Sequence, residues 1–149
     1  AVIGICNGFQ ILTETGLLPG VLMRNRDLRF ICSDVHLKVE QTKSPFTSGY
    51  KKNSVIQFHI AHNEGNYYVD KKTLTQIEDK GQVAFRYCDA AGKVNAKTNP
   101  NGALNNIAGI FNAKRNVLGL MPHPERMSDP ALGNNDGRVL FDSLVESVA

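Results

Sequence analysis

The segment Gly4-Ile5-Cys6-Asn7-Gly8 carries the clearest chemical signal in the sequence. It follows an apolar run and precedes a helical pattern, which predicts a strand, a sharp turn and a helix. Such a turn holds its central residue in a strained conformation, and the flanking glycines leave room for neighbouring chain. A helix N-terminus favours thiolate over thiol, and the backbone N–H of Asn7 would face a developing oxyanion. Cys6 is therefore a candidate nucleophile, and a buried structural cysteine is the alternative.

A second candidate segment, Pro122-His123-Pro124-Glu125, follows an apolar strand pattern. Because prolines fix φ, we expect a stiff and extended segment in which residues two apart project to the same side. A carboxylate beside an imidazole holds its tautomer and stabilises the imidazolium that forms when it takes a proton. A His-Pro-Glu loop alone is more often a surface turn. Together with Cys6, however, His123 and Glu125 predict a Cys-His-Glu catalytic triad.

The other cysteines and histidines give weaker signals. Cys32 lies within a predicted strand and Cys88 at the end of one, so both are expected to pack. His59 also lies within a strand, where we expect a structural role. His62 opens a polar loop of the kind that supplies ligand contacts, although an ordinary loop histidine fits equally well. A zinc site at His62 and Glu64 is not expected, since no third ligand has a suitable spacing.

Hydrophobic periodicity predicts an α/β fold, with parallel strands at the front and antiparallel strands in the middle. The first strand, residues 1–5, is continuously apolar, which is typical of a strand buried on both faces. We treat residues 1–149 as one domain. Strands are predicted at 1–5, 28–40, 54–61, 67–69, 82–87, 107–111 and 116–121, and helices at 9–14, 70–80 and 137–148. Asp70 is the expected cap of the second helix, and the last two strands flank a short polar turn that suggests a hairpin. The last helix is expected to be amphipathic, with the apolar residues Val139, Leu140, Leu144, Val145 and Val148.

Composition narrows the class of protein. Hydrophobic residues make up 42% of the chain and charged residues 21%, an ordinary globular mixture with no apolar run long enough to span a membrane. The net charge of +3 is scattered, which argues against nucleic-acid binding. Three cysteines without a CxxC pair argue against a disulfide framework and favour a reducing, cytoplasmic location. The sequence starts without Met inside a strand pattern, so we expect N-terminal material to be missing.

The segment from Gly4 to Leu12 closely resembles the nucleophile region of class I glutamine amidotransferases. Its Asn-Gly-Phe-Gln version is similar to the glutaminase component of phosphoribosylformylglycinamidine synthase, from purine biosynthesis. Three further regions match that subfamily in order and cover nearly the whole chain: 60–67, 99–110 and 119–126. The resemblance implies a flavodoxin-like mixed sheet with flanking helices, without the N-terminal portion of that fold.

The resemblance also implies a reaction. Cys6 would attack the side-chain amide of glutamine, and His123 would protonate the leaving ammonia and then activate water to release glutamate. Asn7, Gln10 and the loop around His62 would hold the substrate. Ammonia would pass to a large synthase subunit, with a small bridging subunit as a further partner. That synthase would use ATP and Mg²⁺ to convert formylglycinamide ribonucleotide to its amidine, and this chain would need no cofactor of its own.

Two departures from the family pattern stand out. The family domain begins well before the nucleophile strand, and its earlier part includes a glycine-rich loop that helps to form the oxyanion hole. Loss of one oxyanion donor costs on the order of 10²–10³-fold in rate, so we expect the isolated chain to be poorly stable and nearly inactive. Asn63 stands where the family more usually has Gly, which changes the expected shape of that loop.

Two other functions remain open from the sequence. One is a cysteine hydrolase from the related superfamily that presents its cysteine in the same kind of turn. Gln10, and Glu125 close to His123, favour glutamine over the substrates of such a hydrolase. The other is a catalytically silent subunit that regulates a synthase. An intact set of Cys6, His123 and Glu125 argues against a silent subunit.

Overall fold

A computed structural model describes all 149 residues, which form a six-stranded sheet, a separate two-stranded sheet and three α-helices. Short 3₁₀ turns connect several of these elements, including Pro124–Met127. In chain order the elements are β1 (Val2–Ile5), α1 (Asn7–Glu14), β2 (Val21–Met23), β3 (Ile31–Val39), β4 (Val55–His62), β5 (Asn66–Tyr68), α2 (Lys71–Asp79), β6 (Val83–Cys88), β7 (Ile107–Phe111), β8 (Val117–Leu120) and α3 (Arg138–Glu146).

The large sheet has the strand order β1-β8-β7-β6-β3-β4, and β2 pairs with β5 in the small sheet. Strand β1 runs parallel to β8, whereas the other neighbours in both sheets are antiparallel. The predicted mixture of parallel strands at the front and antiparallel strands in the middle is confirmed, with one parallel pair. The predicted hairpin of β7 and β8 is confirmed as well.

The expectation that the first strand is buried on both faces is wrong. Strand β1 has a single neighbour, β8, and so forms an edge of the sheet. Val2 is 47% exposed, and Ile3 and Ile5 are only partly buried. Gly4 is the buried residue of this strand because it faces α1.

The core is rich in aromatic rings, and strands β7 and β8 are buried along their whole length. Phe58 and Phe85 meet edge to face, Phe46 stacks on Phe111, and all four are fully buried. Along β4 the side chains alternate between half-buried and buried, so one face of this strand packs inward and the other faces outward. Because of this alternation, only every second side chain of β4 points outward from the core.

The helices follow their predicted positions with one correction. Asp70 caps α2 by accepting hydrogen bonds from the backbone N–H groups of Lys72 and Thr73, as predicted. The predicted amphipathic pattern of the last helix is wrong at its end, because α3 stops at Glu146 and Val145 and Val148 are exposed. No helix in the structure has the length and apolar character required to cross a membrane.

Candidate active site

Cys6 occupies the turn between β1 and α1, in a backbone conformation that few non-glycine residues adopt. Its φ is 53° and its ψ is −108°, and it forms the N-cap of α1. The turn is tied to the sheet because the Cys6 N–H donates to the Leu120 carbonyl over 2.8 Å. Asn7 is the first helical residue, so its N–H has no carbonyl partner within α1. The strand-turn-helix prediction is confirmed, and the turn presents a half-buried thiol beside the first backbone N–H of α1.

The two glycines that flank this turn are not equivalent. A Cβ on Gly4 would lie 2.5 Å from both the Gly8 carbonyl oxygen and Leu12 Cδ1. A Cβ on Gly8 would meet nothing within 4 Å. The expectation that both glycines make room for neighbouring chain therefore holds for Gly4 and is wrong for Gly8, because a side chain at Gly8 would face open space.

His123 is fixed at both its backbone and its ring. Its N–H donates to the His59 carbonyl over 2.8 Å, which bridges this loop to β4. Its Nδ1 lies 2.5 Å from Glu125 Oε1, and its Nε2 is buried without a hydrogen-bond partner. The segment is not extended as expected, because Pro124 starts a 3₁₀ turn. Proline suits the first position of such a turn, and the turn brings the Glu125 carboxylate back to the ring.

The electrostatics couple His123 to Cys6. The Cys6 side chain, followed by the Glu125 carboxylate, raises the pKa of His123 to about 9 despite the opposing effect of burial. For Glu125, partial burial acts to raise the pKa, but the bond to His123 outweighs it and the pKa is lowered. A carboxylate at Nδ1 fixes the tautomer of the ring and leaves Nε2 as the nitrogen that can exchange a proton. This arrangement suits a histidine that acts as a base towards a neighbouring nucleophile.

An open pocket of about 510 Å³ lies in front of Cys6 and His123. The three predicted substrate-binding residues, Asn7, Gln10 and His62, all line it. The Gln10 side-chain amide donates to Glu14 Oε1 over 2.9 Å, so it lies along α1. The remaining lining residues are Ile5, Phe30, Ala61, Asn63, Glu64 and Arg126.

His62 ends β4 and is 4% exposed, held in a network of amide groups. Asn25 Oδ1 lies 3.0 Å from its Nδ1, and Asn101 Nδ2 lies 3.5 Å from its Nε2. The pKa of His62 is lowered to about 4, mainly by burial and to a smaller extent by the charge of the nearby His123. His62 is therefore neutral near pH 7 and holds the shape of the pocket wall.

Asn25 is the main residue that the sequence did not indicate. It is 1% exposed, and its side chain donates to the carbonyls of Arg29 and His62 and accepts from the Gly65 N–H. An asparagine outside any motif gives no signal of this kind. Phe30 and Arg126 were also missed as pocket residues, although Arg126 directly follows the predicted triad.

The other two cysteines differ from each other. Cys88 is buried, as expected. Cys32 is exposed, so the expectation that it packs is wrong, because it lies on the outward face of β3. Its Sγ is 3.4 Å from His59 Nε2. His59 has the expected structural role through its carbonyl, which holds His123, and its side chain makes this additional contact.

The fold and the site together define an α/β protein with a cysteine nucleophile presented by a strand-turn-helix and faced by a carboxylate-bound histidine. The chain belongs to the family of CobB/CobQ-like glutamine amidotransferase domains, whose model matches residues 1–138.

Two relatives illustrate its place in that family. The chain is 59% identical over 148 residues to phosphoribosylformylglycinamidine synthase subunit PurQ of Rhodospirillum rubrum, covering 99% of this chain and 64% of the relative. It is 60% identical over 146 residues to the protein of the same name from Gloeobacter violaceus, covering 98% of this chain and 63% of the relative. The chain thus spans a little under two thirds of these relatives.

Solved structures agree with the fold. PurLQS from Thermotoga maritima matches with a TM-score of 0.83 and 38% identity, covering 99% of this chain and 61% of that one. A glutamine amidotransferase from the same organism matches with a TM-score of 0.58 over 97% of this chain and 60% of that one. At 14% identity the second likeness concerns the fold alone. The predicted class I glutamine amidotransferase fold is confirmed.

Proposed function

We propose that this chain is the glutamine-hydrolysing part of a phosphoribosylformylglycinamidine synthase. The observation that carries the proposal is that Cys6, in its positive-φ turn, lines one pocket with His123, whose Nδ1 is held by Glu125 and whose buried Nε2 has no other hydrogen-bond partner. The matching relatives are named as a subunit of that synthase, which supports the choice of pathway. Membership of the amidotransferase family supports glutamine as the substrate.

Glutamine would enter the pocket with its side-chain amide above the Cys6 sulfur. The pocket carries a cation, Arg126, and an anion, Glu64, which suit the carboxylate and ammonium of an amino acid. Arg24 lies 3.9 Å from Glu64, a loose contact that leaves the carboxylate free to accept a substrate. The pocket charge thus favours a zwitterionic amino acid.

The hydrolysis follows from the positions of three groups. The thiolate of Cys6 attacks the amide carbon, and the developing oxyanion takes the N–H of Asn7. His123 gives the proton on Nε2 to the leaving ammonia, which leaves a thioester on Cys6. The same nitrogen then takes a proton from water, which attacks the thioester and releases glutamate. Glu125 stabilises the imidazolium throughout.

Ammonia would then be consumed by a partner. A large synthase subunit, with a small bridging subunit, would use ATP and Mg²⁺ to convert formylglycinamide ribonucleotide to formylglycinamidine ribonucleotide. The Thermotoga maritima structure is titled as a PurLQS assembly, which supports a partner of this kind.

Labelling of the chain in its full-length form with 6-diazo-5-oxonorleucine, a glutamine-like electrophile, tests the glutaminase part. We expect one label per chain on Cys6, with labelling prevented by glutamine and abolished in Cys6→Ser. Cys32→Ser is the matched control and should label normally. Labelling that glutamine does not prevent would instead support a hydrolase with another substrate, and no labelling would support a silent subunit.

Reconstitution with the large and small synthase subunits tests the partner part. We expect amidine formation from glutamine to require this chain in its full-length form, and amidine formation from added ammonia to proceed without it. Cys6→Ser should abolish the first activity and leave the second intact. Glutamine-dependent synthesis at the same rate without the chain would refute the proposal.

A further inference from the structure

A second thiol–imidazole–carboxylate set lies outside the pocket of Cys6. Cys32 Sγ is 3.4 Å from His59 Nε2, and His59 Nδ1 is 2.8 Å from Asp34 Oδ1. Cys32 and Asp34 are two residues apart on the outward face of β3, and His59 is the cross-strand partner of Asp34 on β4. Antiparallel pairing holds such side chains within contact distance. The three groups are therefore positioned by the register of the sheet.

The arrangement is a linear relay. His59 stands in the middle and uses one ring nitrogen for each neighbour. If the Asp34 carboxylate accepts the Nδ1 proton, Nε2 is the acceptor that faces the thiol. A thiol in this position can pass its proton to the imidazole, and the carboxylate stabilises the resulting cation.

The thiol is also accessible. Cys32 is exposed, and the His59 side chain retains 22% of its surface exposure. Beside Cys32 lies an open pocket of about 720 Å³ lined by Asp27, Arg29, Phe30, Ile31 and Pro100. Space, solvent access and a neighbouring base are the conditions under which a cysteine reacts.

We propose that Cys32 is a reactive thiol, separate from the nucleophile Cys6, that is modified by exchange with small-molecule disulfides. The Cys32 proton moves to His59, and the thiolate attacks one sulfur of the disulfide R–S–S–R. A Cys32–S–S–R bond forms as the original S–S bond breaks, and the leaving R–S⁻ takes the proton from His59. Cys32 is oxidised, the leaving sulfur is reduced, and the incoming disulfide is the only oxidant required.

The experiment measures how fast oxidised glutathione forms a mixed disulfide at Cys32. A Cys6→Ser background of the full-length chain removes the candidate nucleophile, and peptide mass spectrometry locates the adduct. The reference is the same chain unfolded in urea, where Cys32 has no neighbours. We expect the native rate at pH 6 to exceed the unfolded rate by about fivefold or more, since few ordinary thiols are ionised at that pH.

Two variants on the same sheet face separate the relay from simple exposure. His59→Gln should reduce the native rate to that of the unfolded chain. His36→Gln changes a histidine on the same face of β3 that makes no hydrogen bond to Cys32, and should leave the rate unchanged. If His59→Gln fails to fold by circular dichroism, Asp34→Asn replaces it and should slow the exchange.

The proposal does not depend on glutaminase activity, because the measurement is of mass. A native rate equal to or below the unfolded rate would overturn it. A folded His59→Gln or Asp34→Asn variant that exchanges as fast as the parent would overturn it as well.

Discussion

Replacing Gly4 with Ala tests how the turn at Cys6 is built. The new Cβ would lie 2.5 Å from the Gly8 carbonyl oxygen, about 0.9 Å short of the 3.4 Å at which ordinary contact begins. The carbonyl is part of the α1 backbone and cannot rotate away. The first turn of α1 must therefore move from β1 by nearly an ångström, and Cys6 lies between the two.

The expected losses follow from that displacement. Overpacking of this kind costs about 1–3 kcal/mol, which lowers the melting temperature by about 2–10 °C in a chain of this size. A misplacement near 1 Å can cost about 10²-fold in a positioned reaction, so Cys6 should label far more slowly with 6-diazo-5-oxonorleucine. Thermal unfolding by circular dichroism and the labelling rate measure the two effects.

Gly8→Ala is the matched control. Its Cβ meets nothing within 4 Å, and Ala is favoured over Gly within a helix by up to about 1 kcal/mol. We expect unchanged or slightly increased stability and normal labelling. Equal melting temperatures and labelling rates for the two variants would refute the reasoning about close approach at Gly4.

Three further changes test other parts of the structure. Protonated His123 contributes stability that is fully present below its unfolded pKa of 6.5 and is lost as the pH rises through about 9. The urea midpoint should therefore fall between these pH values, and it should fall less in Cys6→Ser. Parallel curves for the two proteins would contradict the coupling between His123 and Cys6. Asn25→Ala leaves several buried polar groups of the pocket wall unpaired and should lower the free energy of unfolding by about 2–4 kcal/mol. Asn63 is exposed, so Asn63→Ala should change this free energy little. Equal urea midpoints for the two variants would contradict the role of the Asn25 hydrogen bonds. Asp70→Ala removes the cap of α2 and should lower the urea midpoint of unfolding, while Asp70→Asn keeps a capping oxygen and should restore most of the loss.

Local signals in the sequence were sufficient for much of the fold. The turn at Cys6, the cap at Asp70 and the hairpin of β7 and β8 depend on residues close together in the chain, and all three were predicted correctly. The 3₁₀ turn at Pro124 was not, because a fixed φ is compatible with both an extended segment and the first residue of a helical turn.

Contacts between distant segments could not be predicted. Asn25 lies 37 residues from His62, and Cys32 lies 27 residues from His59. Their pairing depends on how the strands align, which hydrophobic periodicity limits but does not determine residue by residue. The exposure of Val2 likewise depends on the position of β1 at the sheet edge, which its apolar sequence does not reveal.

The register of β4 links the candidate active site to the core. The backbone of His59 holds His123 through one hydrogen bond, and the Ala61 carbonyl lies 4.0 Å from the Cys6 sulfur. Phe58 directly precedes His59, and Ile60 lies between His59 and Ala61. Both apolar side chains are fully buried. A shift of β4 by one residue would expose both apolar side chains and move both carbonyls, so the free energy that buries Phe58 and Ile60 also opposes displacement of His123 from Cys6. The apolar alternation of β4 therefore sets the geometry of a site to which this strand contributes neither the thiol nor the imidazole.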